Sequence, residues 1–117
     1  MPTISCKRAF CVGDIIAVFA ETYLVSPGGK EGMWRILSFM VDGYLPEHEC
    51  HKVTERCQRS LRKQFPGLAT KRLDTQIGVL YINLLGVENE KERRRIAQDW
   101  LNSYFQDNDR RLLVGVE

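Results

Sequence analysis

Two prolines set the strongest constraint on this chain. A proline suits the first turn of a helix, where its missing N–H is not needed, and it cannot continue one. Pro46 and the Phe65-Pro66-Gly67 stop therefore bracket a single helical segment, with Glu47 and Glu49 near the end where the helix dipole favours negative charge. Inside the bracket Val53, Cys57, Leu61 and Phe65 recur at every fourth residue, with Cys50 near the start, and predict a narrow buried stripe. Lys52, Arg56, Arg59, Arg62 and Lys63 lie off that stripe. The spacing predicts a helix of about 20 residues with one packing face and one basic face.

The remainder must supply what the stripe packs against. With 117 residues, 44% hydrophobic and 27% charged, the chain fits one domain over 1–117 that buries a core without metal or disulfide staples. Its longest apolar runs, such as Ile15 to Ala20, fall far short of the roughly 20 residues of a membrane span. No apolar h-region follows Lys7-Arg8, so a secretory signal is not expected either. Four cysteines, Cys6, Cys11, Cys50 and Cys57, then belong in a reducing compartment as free thiols, and a cytoplasmic location is expected. The net charge is only +2, but seven cations face the single anion Glu55 between 52 and 72.

Residues 9–25 are rich in β-branched and aromatic residues around Gly13-Asp14 and predict a strand or a hairpin. Ser26-Pro27-Gly28-Gly29-Lys30 reads as a turn. Dense apolar residues from Met33 to Val41 predict a short buried helix stopped at Gly43. The run Ile77 to Val87 suits strand or helix, and Gly78, Gly86 and the β-branched residues tilt it toward strand. Ile96, Trp100, Leu101, Tyr104 and Phe105 share one face of a predicted helix over 90–105, and Leu112 to Val116 forms a terminal strand. The expected fold is α+β: a small antiparallel sheet from the N- and C-terminal strands, packed against about three helices.

Catalytic chemistry finds little to build on. His48 and His51 stand at i,i+3 rather than the i,i+4 of H-E-x-x-H, and no CxxC accompanies them, so no metal site and no cofactor are expected. No G-x-S-x-G elbow is present, and Gly28-Gly29-Lys30 lacks the spacing and the Ser or Thr of a phosphate loop. Asp14, Asp42 and Glu47 are the acids a folded cleft would have to gather for an enzyme. Arg93-Arg94-Arg95 lies among Glu88, Glu90 and Glu92 and reads as a salt-bridged surface; Trp34, Phe39, Trp100, Tyr104 and Phe105 read as core. The candidate site is therefore a binding surface of Lys52, Arg56, Arg59, Arg62 and Lys63, residue types that contact phosphates.

The stretch 33–68 carries a further signal: MWRILSFM, a short Asp-Gly turn, Leu45, His48, Cys57, Leu61, Gln64, Pro66 and Leu68. It resembles an uncharacterised family of small domains of bacteriophages, prophages and related mobile elements. In that family an Ile-Leu-x-Phe-Met helix precedes a Thr-His-Gln-Leu-Pro-Arg motif and a Cys-containing helix ending near a proline. About a third of the chain matches well, with a looser match at Trp100 and Leu112 to Val116; Glu47 and Glu49 to His51 depart from the motif. The family brings no established function. The resemblance implies a phage or mobile-element origin, and with it a non-enzymatic binding protein acting in the host cytoplasm. The expected role is a counter-defence inhibitor that sequesters a host protein complex or a nucleotide signal, with self-association left open. The alternative is a nucleic-acid-binding module in phage gene regulation or replication.

Overall fold

The computed structural model describes residues 7–117. Among them are five α-helices and a two-stranded antiparallel sheet, so the fold is α+β, with more helix than the expected three. Cys6 lies outside the described residues.

The largest departure from expectation falls in the first quarter. Only Lys7–Cys11 is a strand (β1), and Val12–Ala20 is a helix (α1), where the sequence suggested strand or hairpin through to Val25. The reason is burial on every side. Ile15, Ile16, Ala17 and Val18 are fully enclosed, and a helix apolar all round its circumference is stable only as the central element of a core. Local β preference is worth about 1 kcal/mol at most, less than burying even one such side chain contributes, about 1.5–3 kcal/mol.

A buried helix must also find partners for its end groups. The Val12 and Gly13 N–H groups donate to the carbonyls of Arg110 (2.8 Å) and Asn108 (2.9 Å), in the loop before the last strand. At the other end Gln58 Nε2 donates to the Val18 carbonyl at 2.9 Å.

Gly29–Val41 forms α2, starting earlier than Met33 because the turn is confined to Ser26–Gly29, closed by the Gly29 N–H on the Ser26 carbonyl at 2.9 Å. It ends at Asp42, whose φ of 51° supplies the left-handed cap, so Gly43 is not the terminating residue. A single 3-10 turn, Glu47–Glu49, leads into α3, Cys50–Gln64. The helix expected from Pro46 onward thus begins with a tighter turn; of its expected stripe Val53, Cys57 and Leu61 are buried, while Phe65 lies at the C-cap and is only half-buried.

Lys71–Leu84 forms α4, a helix where Ile77 to Val87 suggested strand. Its start signal lies upstream of that run. Thr70 caps it by accepting the Leu73 N–H at 3.2 Å, and Leu73, Leu80 and Leu84 are buried at helical spacing. Glu90–Tyr104 forms α5, capped by Asn89 on the Glu92 N–H at 3.0 Å. The chain closes with β2, Arg111–Gly115, pairing antiparallel to β1 with Phe10 opposite Leu112 and Arg8 opposite Val114.

An isolated two-stranded ribbon is marginal in water. Here Phe10 packs on Phe39 of α2, with ring centroids 5.6 Å apart, and Val114 is fully buried. Gln64 ties β2 to α3, accepting the Gly115 N–H at 2.7 Å and donating to its carbonyl at 3.1 Å. Helix α1 packs against α2 and α3, while α4 packs against α5 and its opposite side is left uncovered among the described residues.

Candidate binding surface

The buried side of α3 fixes where its charges go. With 100° per residue, burial of Val53, Cys57 and Leu61 turns Lys52, Arg56, Arg59 and Lys63 into one row at spacing 4, 3, 4 on the opposite side. The row runs about 16 Å along the helix, and all four residues are exposed. Arg62, the fifth expected site residue, is displaced from the row. Its guanidinium lies 5.5 Å from the Phe19 ring centroid and 3.6 Å from Asp74 of α4, so it helps join α1, α3 and α4.

Acids within the chain answer much of this charge. Lys52 pairs with Glu49 at 2.9 Å, Arg59 with Glu55 at 3.6 Å, and Arg56 with Glu117 near the C-terminal end. The Lys52 ammonium donates to Glu49 and holds its carboxyl below the ordinary carboxylate range. Lys63 has no ion pair among the described residues. Exposed pairs of this kind are each worth about 0–1 kcal/mol and are screened by salt. A partner bringing several negative groups can therefore displace them at little cost.

The three arginines of α5 do different work. Arg95 alone sits in an acidic fork, bonded to Glu92 and to Asp99 at 2.8 Å, which raises its own pKa and lowers that of Glu92. Arg93 instead donates to the carbonyls of Leu84 (3.1 Å) and Val87 (2.9 Å), satisfying the open C-terminal end of α4. Arg94 reaches the Pro27 carbonyl at 2.9 Å. The salt-bridged surface read from the sequence is thus one residue of three; the other two are structural ties.

An open cleft of about 520 Å³ lies beside α3, lined by Tyr23, Lys30, Met33, Trp34, Glu47, His48 and Cys50. Trp34 belongs to this cleft rather than to the core, and its indole N–H donates to the Leu45 carbonyl at 2.7 Å, which fixes the ring. The Lys30 ammonium stands 5.0 Å from the Tyr23 ring centroid, and the Tyr23 hydroxyl bonds Glu90, which raises its pKa. No local motif could have announced this cleft, because its members come from three separated segments.

Among the described residues no three of His, Cys, Asp and Glu gather into a group able to hold a metal. Asp14 is turned toward Ser26, whose hydroxyl donates to it at 2.5 Å, while Asp42 caps α2 and Glu47 lines the cleft; the three acids do not converge. Burial pushes the thiols of Cys11 and Cys57 up to about 11, and that of Cys50 upward as well, so these thiols are held protonated at neutral pH. Ser38 Oγ and Trp100 Nε1 are buried without a hydrogen-bond partner among the described residues. No helix among the described residues is long and apolar enough to cross a membrane.

Comparison with family models, curated proteins and solved structures returned no match. The class that fold and surface define is a small helix-rich α+β domain with a convex basic ridge.

Proposed function

We propose that this chain is a non-enzymatic binding protein that engages an anionic surface of a host protein complex through the α3 ridge, as a phage or mobile-element inhibitor of host defence would. The observation that carries the reading is the row Lys52, Arg56, Arg59 and Lys63, projecting from the side of α3 opposite its buried stripe. A convex ridge about 16 Å long is better matched to an extended macromolecular surface than to a single nucleotide, which is held in a concavity. Phage origin rests on the resemblance of the 33–68 stretch to small phage and prophage domains. The same row would also follow a nucleic-acid backbone, and clustered arginines favour that alternative through bidentate phosphate contacts.

The test uses the wild-type chain and a variant with Lys52, Arg56, Arg59 and Lys63 all changed to alanine. Quantitative affinity capture from host cells is run beside fluorescence titration with duplex and single-stranded DNA and RNA. The proposal expects a defined host complex held by the wild type and lost by the variant. Steeply salt-dependent nucleic-acid binding, lost in the same variant, would replace it with the alternative. Equal retention of every partner by both proteins would overturn both readings.

A further inference from the structure

Among the described residues, nothing covers the outer side of α4. Buried Leu73, Leu80 and Leu84 define its inner side, and diametrically opposite them run Lys71, Thr75, Gly78, Ile82 and Leu85 at spacing 4, 3, 4, 3. Ile82 is 67% exposed and Leu85 76%, and Val79 flanks them at 40%. No charged residue occurs from Thr75 to Val87, so the middle of this stripe has nothing with which to select a charged partner. A β-carbon at Gly78 would meet nothing within 4 Å, so the face is open to close approach by another backbone.

The charges stand at the two ends, and they are opposite. Helix α4 starts with Lys71 and Arg72, cations at the end where its own dipole favours anions. Beyond its C-terminal end come Glu88, Glu90 and Glu92 against Lys91. Neither Lys71 nor Glu88 makes an ion pair among the described residues. If two such stripes lie antiparallel about a two-fold axis, Gly78 meets the partner's Ile82, Thr75 meets the partner's Leu85, and each Lys71 extends past the end of the partner's helix toward the segment that carries its Glu88. The same operation sets the two helix dipoles antiparallel and brings each Lys71 to a negative helix end.

We infer that this face is a homodimer interface, in which α4 packs antiparallel against α4 of a second copy with the two Gly78–Ile82 contacts flanking the axis and Lys71–Glu88 pairs at the rims. A two-fold contact is self-complementary by construction, and a stripe apolar in the middle and oppositely charged at its ends satisfies that condition. Two helix faces about 20 Å long bury on the order of 1,000 Å² in total, the low end for specific interfaces, so the dimer is concentration-dependent rather than obligate.

Sedimentation velocity from 1 to 500 µM, roughly, spans the range where such an interface dissociates. The wild type is expected to pass from monomer to dimer. Ile82→Glu, at an exposed position where folding is retained by circular dichroism, weakens the dimer by about 30-fold or more. Lys71→Glu and Glu88→Lys each weaken it, and the two together restore it, a reciprocity that a merely sticky apolar patch cannot give. A wild type that stays monomeric throughout, or a dimer that Ile82→Glu leaves intact, would overturn the inference. So would a double charge swap that fails to restore association, or a different protein occupying this face in place of the second copy.

Discussion

Alanine at Gly32 would put a β-carbon 3.0 Å from Asp14 Oδ1 and still closer to Ser26 Oγ. Both oxygens belong to the 2.5 Å hydrogen bond that joins α1 to the turn before α2, and Ser26 is fully buried, so the hydroxyl has no room to retreat. The substitution therefore either forces apart the packing, costing about 1–3 kcal/mol, or breaks a bond to an acidic side chain, costing about 1.5–3 kcal/mol. Against this stands the better helix propensity of alanine, about 1 kcal/mol. The net expectation is a loss of about 0.5–2 kcal/mol from a total on the order of 5–15 kcal/mol. In urea denaturation the midpoint should fall by up to about 1 M with little change in slope. Gly78→Ala is the control, because its added carbon meets open space. Measured at low protein concentration it should stabilise by about 1 kcal/mol. In a Ser26→Ala background, which removes the obstructing oxygen, the Gly32→Ala penalty should shrink by about 1 kcal/mol or more. If Gly32→Ala stabilises as Gly78→Ala does, the account of this contact is wrong.

Three further perturbations probe other parts of the fold. Thr70→Ala removes the cap of α4 and should cost about 1 kcal/mol in thermal or chemical unfolding, whereas Thr70→Ser should cost far less. Gln64→Ala leaves the Gly115 N–H without its partner and should cost about 1–3 kcal/mol, with faster amide exchange along Arg111–Gly115 as the local signature; unchanged exchange there would contradict the tie. Burial holds the Cys57 thiol at about 11 against an ordinary 9.0, so the unfolded chain ionises first as pH rises. Its contribution is complete below about pH 9 and disappears as pH climbs through about 11, a loss of up to 2–3 kcal/mol, roughly. Stability curves of wild type and Cys57→Ala should converge over that window, and parallel curves would refute the assignment.

The readable parts of this protein were those where a local signal and a packing face coincide. The stripe of Val53, Cys57 and Leu61 between two helix-limiting prolines specifies both a helix and its buried side, and so determines which way Lys52, Arg56, Arg59 and Lys63 must point. The helix of Trp100 and Leu101, and the closing of the sheet by the last strand, were legible for similar reasons. Tertiary structure decided what periodicity could not. Helix α1 is apolar on every side, which gives a sequence no face to display, and only a surrounding core makes helix the better state for β-branched residues. Helix α4 hid its start at Thr70, ahead of the apolar run that drew attention, and its exposed Ile82 and Leu85 look like core until the fold shows which leucines are inside. Arg62 and Arg93 read as surface charges until neighbouring elements supply the ring and the carbonyls they bind. The cleft around Trp34 exists only because three distant segments meet there, an arrangement set by the packing of α2 against α3.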